Sequence, residues 1–200
     1  LLEYKPTGQV ELIMMRDILN INSPIEPDVI DKLTAGMRVL ISGVIYTARD
    51  AAHKRIIESL DSGEELLFDP REQTIYYAGP SPARPGQVIG SVGPTTSGRM
   101  DAYTPRLLAY GLRAMIGKGN RSEAVREALV QYRGVYLVAV GGAAALIARS
   151  IKQAEVVAYE DLGPEAIRRL TVEGFPAIVA NDAHGGDLFE QGKAEYRRRR

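Results

Sequence analysis

From residue 101 onward, short β-branched apolar runs alternate with stretches whose apolar residues recur at helical spacing. This order leaves few folds open. The strands must gather into a sheet, and the helices between them must cover it. The pattern predicts helices over 103–110, 122–132, 143–150 and 164–170, with strands near 114–116, 135–140, 155–159 and 177–180. Pro105 and Pro164 fall in expected first turns, where the missing N–H is harmless. Ser122, followed by Glu123, is a good helix start. The first half is richer in β signals. Residues 38–46 read as a buried strand, followed by a helix over 50–60 with Thr47 as N-cap. Strands are expected at 74–78 and 87–92, around the rigid loop Gly79-Pro-Ser-Pro-Ala-Arg-Pro-Gly. A short helical turn is expected over 31–37. The expectation is one α/β domain over 25–190, an arm or extension over 1–24 and a basic tail over 191–200.

Composition removes several function classes. There is no cysteine, so the chain makes no disulfide and ligates no iron–sulfur cluster through thiolates. With only His53 and His184, a histidine-rich zinc site is not expected. Lysine plus arginine equals aspartate plus glutamate at 25 each, which argues against a non-specific nucleic-acid binder. The run Arg197 to Arg200 reads as a solvated tail. No apolar run reaches the ~20 residues of a bilayer span. The first residues lack a secretory pattern, so the cytoplasm is the expected compartment.

Three segments carry chemistry. The first is Ser91-Val-Gly-Pro-Thr-Thr-Ser-Gly-Arg-Met-Asp. Its hydroxyls and free N–H groups at a helix start suit an anion, and Arg99 adds a fork that matches a carboxylate. The second is Tyr46-Thr-Ala-Arg-Asp-Ala-Ala-His-Lys-Arg. Arg49 stands where a cation opposes the helix dipole, although Asp50 could simply neutralise it. His53 lies one turn further on the same side. The third is Ile116-Gly-Lys-Gly-Asn, with Lys118 between glycines that let backbone approach a ligand. It is not a P-loop. Gly141-Gly142 and the loop Asn181-Asp-Ala-His, with Asp182 and His184, are weaker candidates. Arg49, Arg99 and Lys118 all follow predicted strands, and ligands collect at such strand ends. Three cations beside hydroxyls suit a small dianion such as a dicarboxylate. Pattern alone names no reaction.

These segments, with Gly141-Gly-Ala-Ala-Ala-Leu and Glu155-Val-Val-Ala-Tyr-Glu-Asp-Leu-Gly-Pro, resemble the C-terminal region of class I iron–sulfur fumarases. The beta subunit of L-tartrate dehydratase shares the Gly-Pro-Thr-Thr-Ser core. The resemblance implies a swivelling β/β/α three-layer domain. It also implies a cysteine-bearing alpha subunit holding a [4Fe-4S] cluster, with one iron open to substrate, and self-association of the assembled enzyme. Carried over by motif, Arg49, Arg99 and Lys118 would bind the carboxylates of malate or fumarate. Thr95 would be the catalytic base, with Thr96 the alternative. His53 and Asp101 would be supporting residues. This chain would hold no metal. The other readings are a tartrate dehydratase beta subunit, a non-catalytic dicarboxylate-binding module and, more remotely, a nucleotide binder.

Overall fold

Residues 38–47 are β-branched and apolar enough to strand, and they carry the sheet's most extensive pairing. The computed structural model describes residues 18–139 and 144–198. Its strands are β1 (Ile18–Ser23), β2 (Arg38–Thr47), β3 (Thr74–Tyr76), β4 (Ala114–Gly117), β5 (Val135–Ala139), β6 (Ile151–Ala158) and β7 (Ile167–Asn181). The helices are α1 (Pro27–Ile30), α2 (Asp50–Ser62), α3 (Thr104–Tyr110), α4 (Glu123–Gln131), α5 (Ala144–Ser150) and α6 (Leu188–Arg198). Two 3₁₀ segments, Ser97–Met100 and Glu160–Glu165, join them.

The strand order is β1-β2-β3-β4-β5-β7-β6, and β2 also pairs with β7. That extra pairing closes β2, β3, β4, β5 and β7 into a ring. Neighbours from β2 to β5 run parallel, while β7 runs antiparallel to both β2 and β5. The carboxyl ends of β2, β3 and β4 therefore lie side by side at one end of the ring. β7 begins at that same end, since Arg168 pairs with Thr47.

Alternation along the strands divides the core. Tyr76, Ile116 and Leu137 join Ile41 and Phe175 in a cluster drawn from every ring strand. Tyr76 meets Phe175 edge-on at 5.1 Å. Their neighbours Ile75, Met115 and Tyr136 belong to a second cluster with Ala52 and Ile56 of α2, Leu107 of α3 and Leu129 of α4. The first fills the ring and the second lies under the helices. Each fully buried side chain of this size contributes roughly 1.5–3 kcal/mol.

The mixed α/β class is as expected, and its layering is more particular because the sheet closes. Several local expectations are corrected. Thr47 is no N-cap. It ends β2, and its hydroxyl accepts from the Arg168 N–H at 3.1 Å. Residues 87–92 form no strand. Ile89 and Val92 are nonetheless buried, and the Tyr76 hydroxyl donates to the Val92 carbonyl at 2.6 Å. Pro164 opens no helix over 164–170. It sits inside a 3₁₀ segment, and Ile167 begins a 15-residue strand. The early helical turn falls at Pro27–Ile30 instead of 31–37. Residues 191–198 lie in α6. Gly141-Gly142, the residues before Ile18 and the last two arginines lie outside the described residues. Among the described residues no helix is long and apolar enough to cross a membrane.

Candidate active site

At the carboxyl end of β2 the chain passes through Ala48 and Arg49 into α2. Arg49 is the N-cap in an extended conformation, and its side chain does not cap the helix. Its guanidinium lies against Gly79, just beyond β3. A Cβ at Gly79 would sit 2.9 Å from Arg49 Nη1 and 3.2 Å from the Pro164 carbonyl, so a side chain there would displace the arginine. Arg49 Nη2 stands 3.6 Å from Glu165 Oε1 and 3.8 Å from Asp50 Oδ2. Glu165 also accepts from the Ala51 N–H at 3.0 Å, which ties the 3₁₀ segment to the start of α2.

Arg99 reaches the same place from a different element. It lies in the Ser97–Met100 turn, not after a strand as expected. Its Nε donates to Asp50 Oδ1 at 2.8 Å. One carboxylate thus faces two arginines that are far apart in sequence.

The hydroxyl loop lies alongside the end of β4. Thr95 donates its N–H to the Tyr77 carbonyl at 2.6 Å, and its own carbonyl accepts from the Lys118 N–H at 3.2 Å. Thr96 bridges to Lys118, and the Ser97 N–H donates to the Lys118 carbonyl at 2.9 Å. Gly117 makes this approach feasible, because a Cβ there would come within 2.0 Å of Ser97 Oγ. Thr95 is half-buried, whereas Thr96 and Lys118 are exposed. The Lys118 side chain makes no ion pair among the described residues.

A buried polar layer supports the loop from below. The Arg121 side chain is fully buried. Its Nε donates to Asp101 Oδ1 and its Nη2 to Thr104 Oγ1, both at 2.7 Å. Its guanidinium carbon lies 4.8 Å from the centre of the Tyr136 ring. The Tyr136 hydroxyl donates to the Gly119 carbonyl and accepts from the Ser97 hydroxyl, both at 2.8 Å. Asp101 also accepts from the Ser122 N–H at 2.7 Å, fixing the start of α4. Sequence reasoning missed Arg121 and Glu165. An arginine two residues beyond Gly119 looks like surface in a linear reading, and Glu165 arrives only when β7 folds back.

His53 is completely buried against the rings of Tyr77 and Tyr103. Its Nδ1 lies 2.8 Å from the Arg49 carbonyl. A carbonyl can only accept, so Nδ1 carries the proton and Nε2 is a buried acceptor with no partner. Burial pulls its pKa down to about 4; the Arg49 carbonyl opposes this and Arg121 adds to it. The ring is neutral at ordinary pH.

The structure therefore brings Arg49, Arg99, Thr95, Thr96 and Lys118 to one end of the ring, with His53 and Asp101 beneath. It does not bring the other loop there. Asp182 accepts three backbone N–H groups, from Ala35, His184 and Gly186. His184 Nε2 lies 2.8 Å from the Asp31 carbonyl. That loop follows the end of β7, at the opposite end of the ring. Among the described residues no group of three His, Cys, Asp or Glu is arranged to hold a metal ion. Chemically, the cluster offers a small anion cationic donors and a hydroxyl whose backbone is held on both sides.

The family described as fumarase C-terminus matches residues 3–192. An Escherichia coli (strain K12) protein named "Fumarate hydratase class I, anaerobic" is 39% identical over 194 residues, covering 94% of this chain and 34% of its own length. A Leishmania major protein named "Fumarate hydratase 1, mitochondrial" is 41% identical over 179 residues, covering 87% of this chain and 32% of its own. A Methanocaldococcus jannaschii protein, provisionally named an L(+)-tartrate dehydratase subunit beta, is 42% identical over 168 residues, covering 81% of this chain and 86% of its own. The chain thus spans about a third of the length of the fumarate hydratases it matches.

Proposed function

Because this chain belongs to the fumarase C-terminus family, we propose that it is the beta part of a hydro-lyase that reversibly hydrates fumarate to L-malate. The observation that carries this reading is the meeting of Arg49 and Arg99 on Asp50, beside the Thr95–Lys118 pairing. A dicarboxylate needs cations for two charged ends, and this edge supplies three.

Arg49, Arg99 and Lys118 bind and orient the two carboxylates. Removing a proton beside a carboxylate builds negative charge on it, and cations already in place stabilise that charge. In the malate direction Thr95, as its alkoxide, takes this proton on Oγ1 while the C–O bond to the hydroxyl on the neighbouring carbon breaks, and hydration runs the same changes in reverse. Thr95 suits the task better than Thr96, because it is half-buried and its backbone is held on both sides.

The resident cluster of such an enzyme does not fit this chain, which has no cysteine and no metal-holding group among its described residues. The [4Fe-4S] cluster is therefore assigned to a cysteine-bearing alpha part. In this reading the domain is of the swivelling β/β/α kind, turns its open edge toward the alpha part and works in the cytoplasm. A tartrate dehydratase beta part is the second reading. It is favoured by the relative whose length this chain nearly spans.

The test is to co-express the chain with its alpha part, reconstitute anaerobically and assay fumarate, malate and tartrate. Turnover of fumarate and malate, absent from this chain alone, is the expected result. Turnover of tartrate alone would replace the first reading with the second. In the same assay Arg99→Ala should cost roughly 2–5 kcal/mol in kcat/KM. Wild-type kinetics would remove Arg99 from the site.

A further inference from the structure

Among the described residues Asp50 is the one carboxylate that faces both arginines of the cluster, and it treats them differently. Toward Arg99 it makes a hydrogen bond through Oδ1, at 2.8 Å to Nε. Toward Arg49 it offers Oδ2 at 3.8 Å from Nη2, too far for a hydrogen bond. That Oδ2 is buried and has no hydrogen-bond partner.

We propose that Asp50 is a positioning residue that fixes the orientation of Arg99 so that its end-on fork is presented to a dicarboxylate. The proposal rests on the functional reading above and adds a residue to it. A guanidinium has a side edge at Nε and an end edge formed by its two Nη groups. Asp50 takes the side edge. The two Nη groups of Arg99 make no hydrogen bond or ion pair among the described residues. The edge that binds a carboxylate in bidentate fashion is therefore left open.

The anchor is rigid. Asp50 is the first residue of the 13-residue α2, where an anion is favoured by the helix start. The next N–H is pinned by Glu165. Arg99, by contrast, is 53% exposed and lies on a short turn. Unheld, it would have to be ordered by the ligand at the ligand's expense. An ion pair this exposed adds little to stability, so its value lies in geometry.

A competing role predicts the opposite sign. If Asp50 only screens charge, its removal leaves the edge more cationic and tightens a dianion.

The experiment uses Asp50→Ala and Asp50→Asn in two measurements. One is kcat/KM for fumarate in the assembled enzyme. The other is the ¹⁵N–¹H signal of Arg99 Nε in the full chain. In the wild type that signal should be shifted and slow to exchange. In Asp50→Ala it should move to the position of solvated arginines, with kcat/KM falling about tenfold. Asp50→Asn keeps an acceptor oxygen without the charge and should fall between. Unchanged or raised kcat/KM in both variants overturns the proposal, as does an Arg99 signal that ignores the substitution. A wild type that hydrates no dicarboxylate takes down the functional reading and the ligand named here. The Arg99 signal would then still report whether Asp50 orients it.

Discussion

His53 shows how a residue beneath the site is tied to pH. Its Nδ1 holds the carbonyl of Arg49, and its ring packs on Tyr77, whose carbonyl holds Thr95. Its pKa is about 4 in the folded chain against the ordinary 6.5. Between those values the unfolded chain binds a proton that the folded chain refuses. Stability therefore falls as pH drops through that window, by up to about 3 kcal/mol from this residue. Urea unfolding of the wild type and His53→Gln at about pH 7 and about pH 4.5 checks this. The wild type should lose more stability on acidification, and equal losses would contradict the assignment. The sequence placed His53 on the same side as Arg49 but could not show it to be buried. Arg121 was illegible for a related reason. Its partners Asp101 and Thr104 come from one earlier stretch and Tyr136 from β5, and they meet only when β5 pairs beside β4.

At the scale of elements, the most telling contact is the one between β4 and the hydroxyl loop. Gly117 is a glycine because Ser97 Oγ and the Tyr77 ring occupy the space of a Cβ. Gly117→Ala should push the Thr95–Ser97 strip off β4. The cost to stability should be about 1–3 kcal/mol, with a larger proportional loss of turnover in the assembled enzyme. Unfolding curves and fumarate kinetics measured side by side check this; unaltered kinetics would mean that the strip can move without consequence. Elements whose signals were local were legible. β2, α2 and α4 had unbroken apolar periods, and Ser122 does accept from the Val125 N–H at 3.4 Å. β7 was not legible. Pro164 and the charged run after it imitate a helix start, while Gly174 at φ 63° and Pro176 interrupt the two-residue alternation of a long strand. Its pairing with β2, β5 and β6 overrides that local preference, β2 and β6 flanking residues 167–172. Residues 87–92 erred the other way. Ile89 and Val92 are buried as strand residues would be, but the backbone joins no sheet: Ser91 pairs with Ser81 through its carbonyl and its N–H, and the Val92 carbonyl accepts from the Tyr76 hydroxyl.

For the whole molecule, parallel pairing from β2 to β4 puts three strand ends together, and ring closure brings Glu165 to the same edge from the far side of the sequence. The sequence gathered the candidate cations by their positions after strands. The link through Asp50 depends on β2, β3 and β4 lying side by side and could not be read. A second feature separates this edge from a concavity lined by other residues. A groove of about 350 Å³ lies between Pro82, Ile89, Val156 and Arg168. In it the Arg168 guanidinium is spent on the Gly163, Pro164 and Ala166 carbonyls. Among the described residues the Arg99 Nη groups and the Lys118 ammonium have no ion-pair partner, whereas Arg168 in the groove is fully engaged. The most direct test of that distinction is a crystal structure of the assembled enzyme with malate bound. The account predicts both carboxylates within hydrogen-bond reach of Arg49, Arg99 and Lys118, with Thr95 Oγ1 facing the carbon between them. Malate seated in the groove beside Arg168, with those three cations facing solvent, would contradict it.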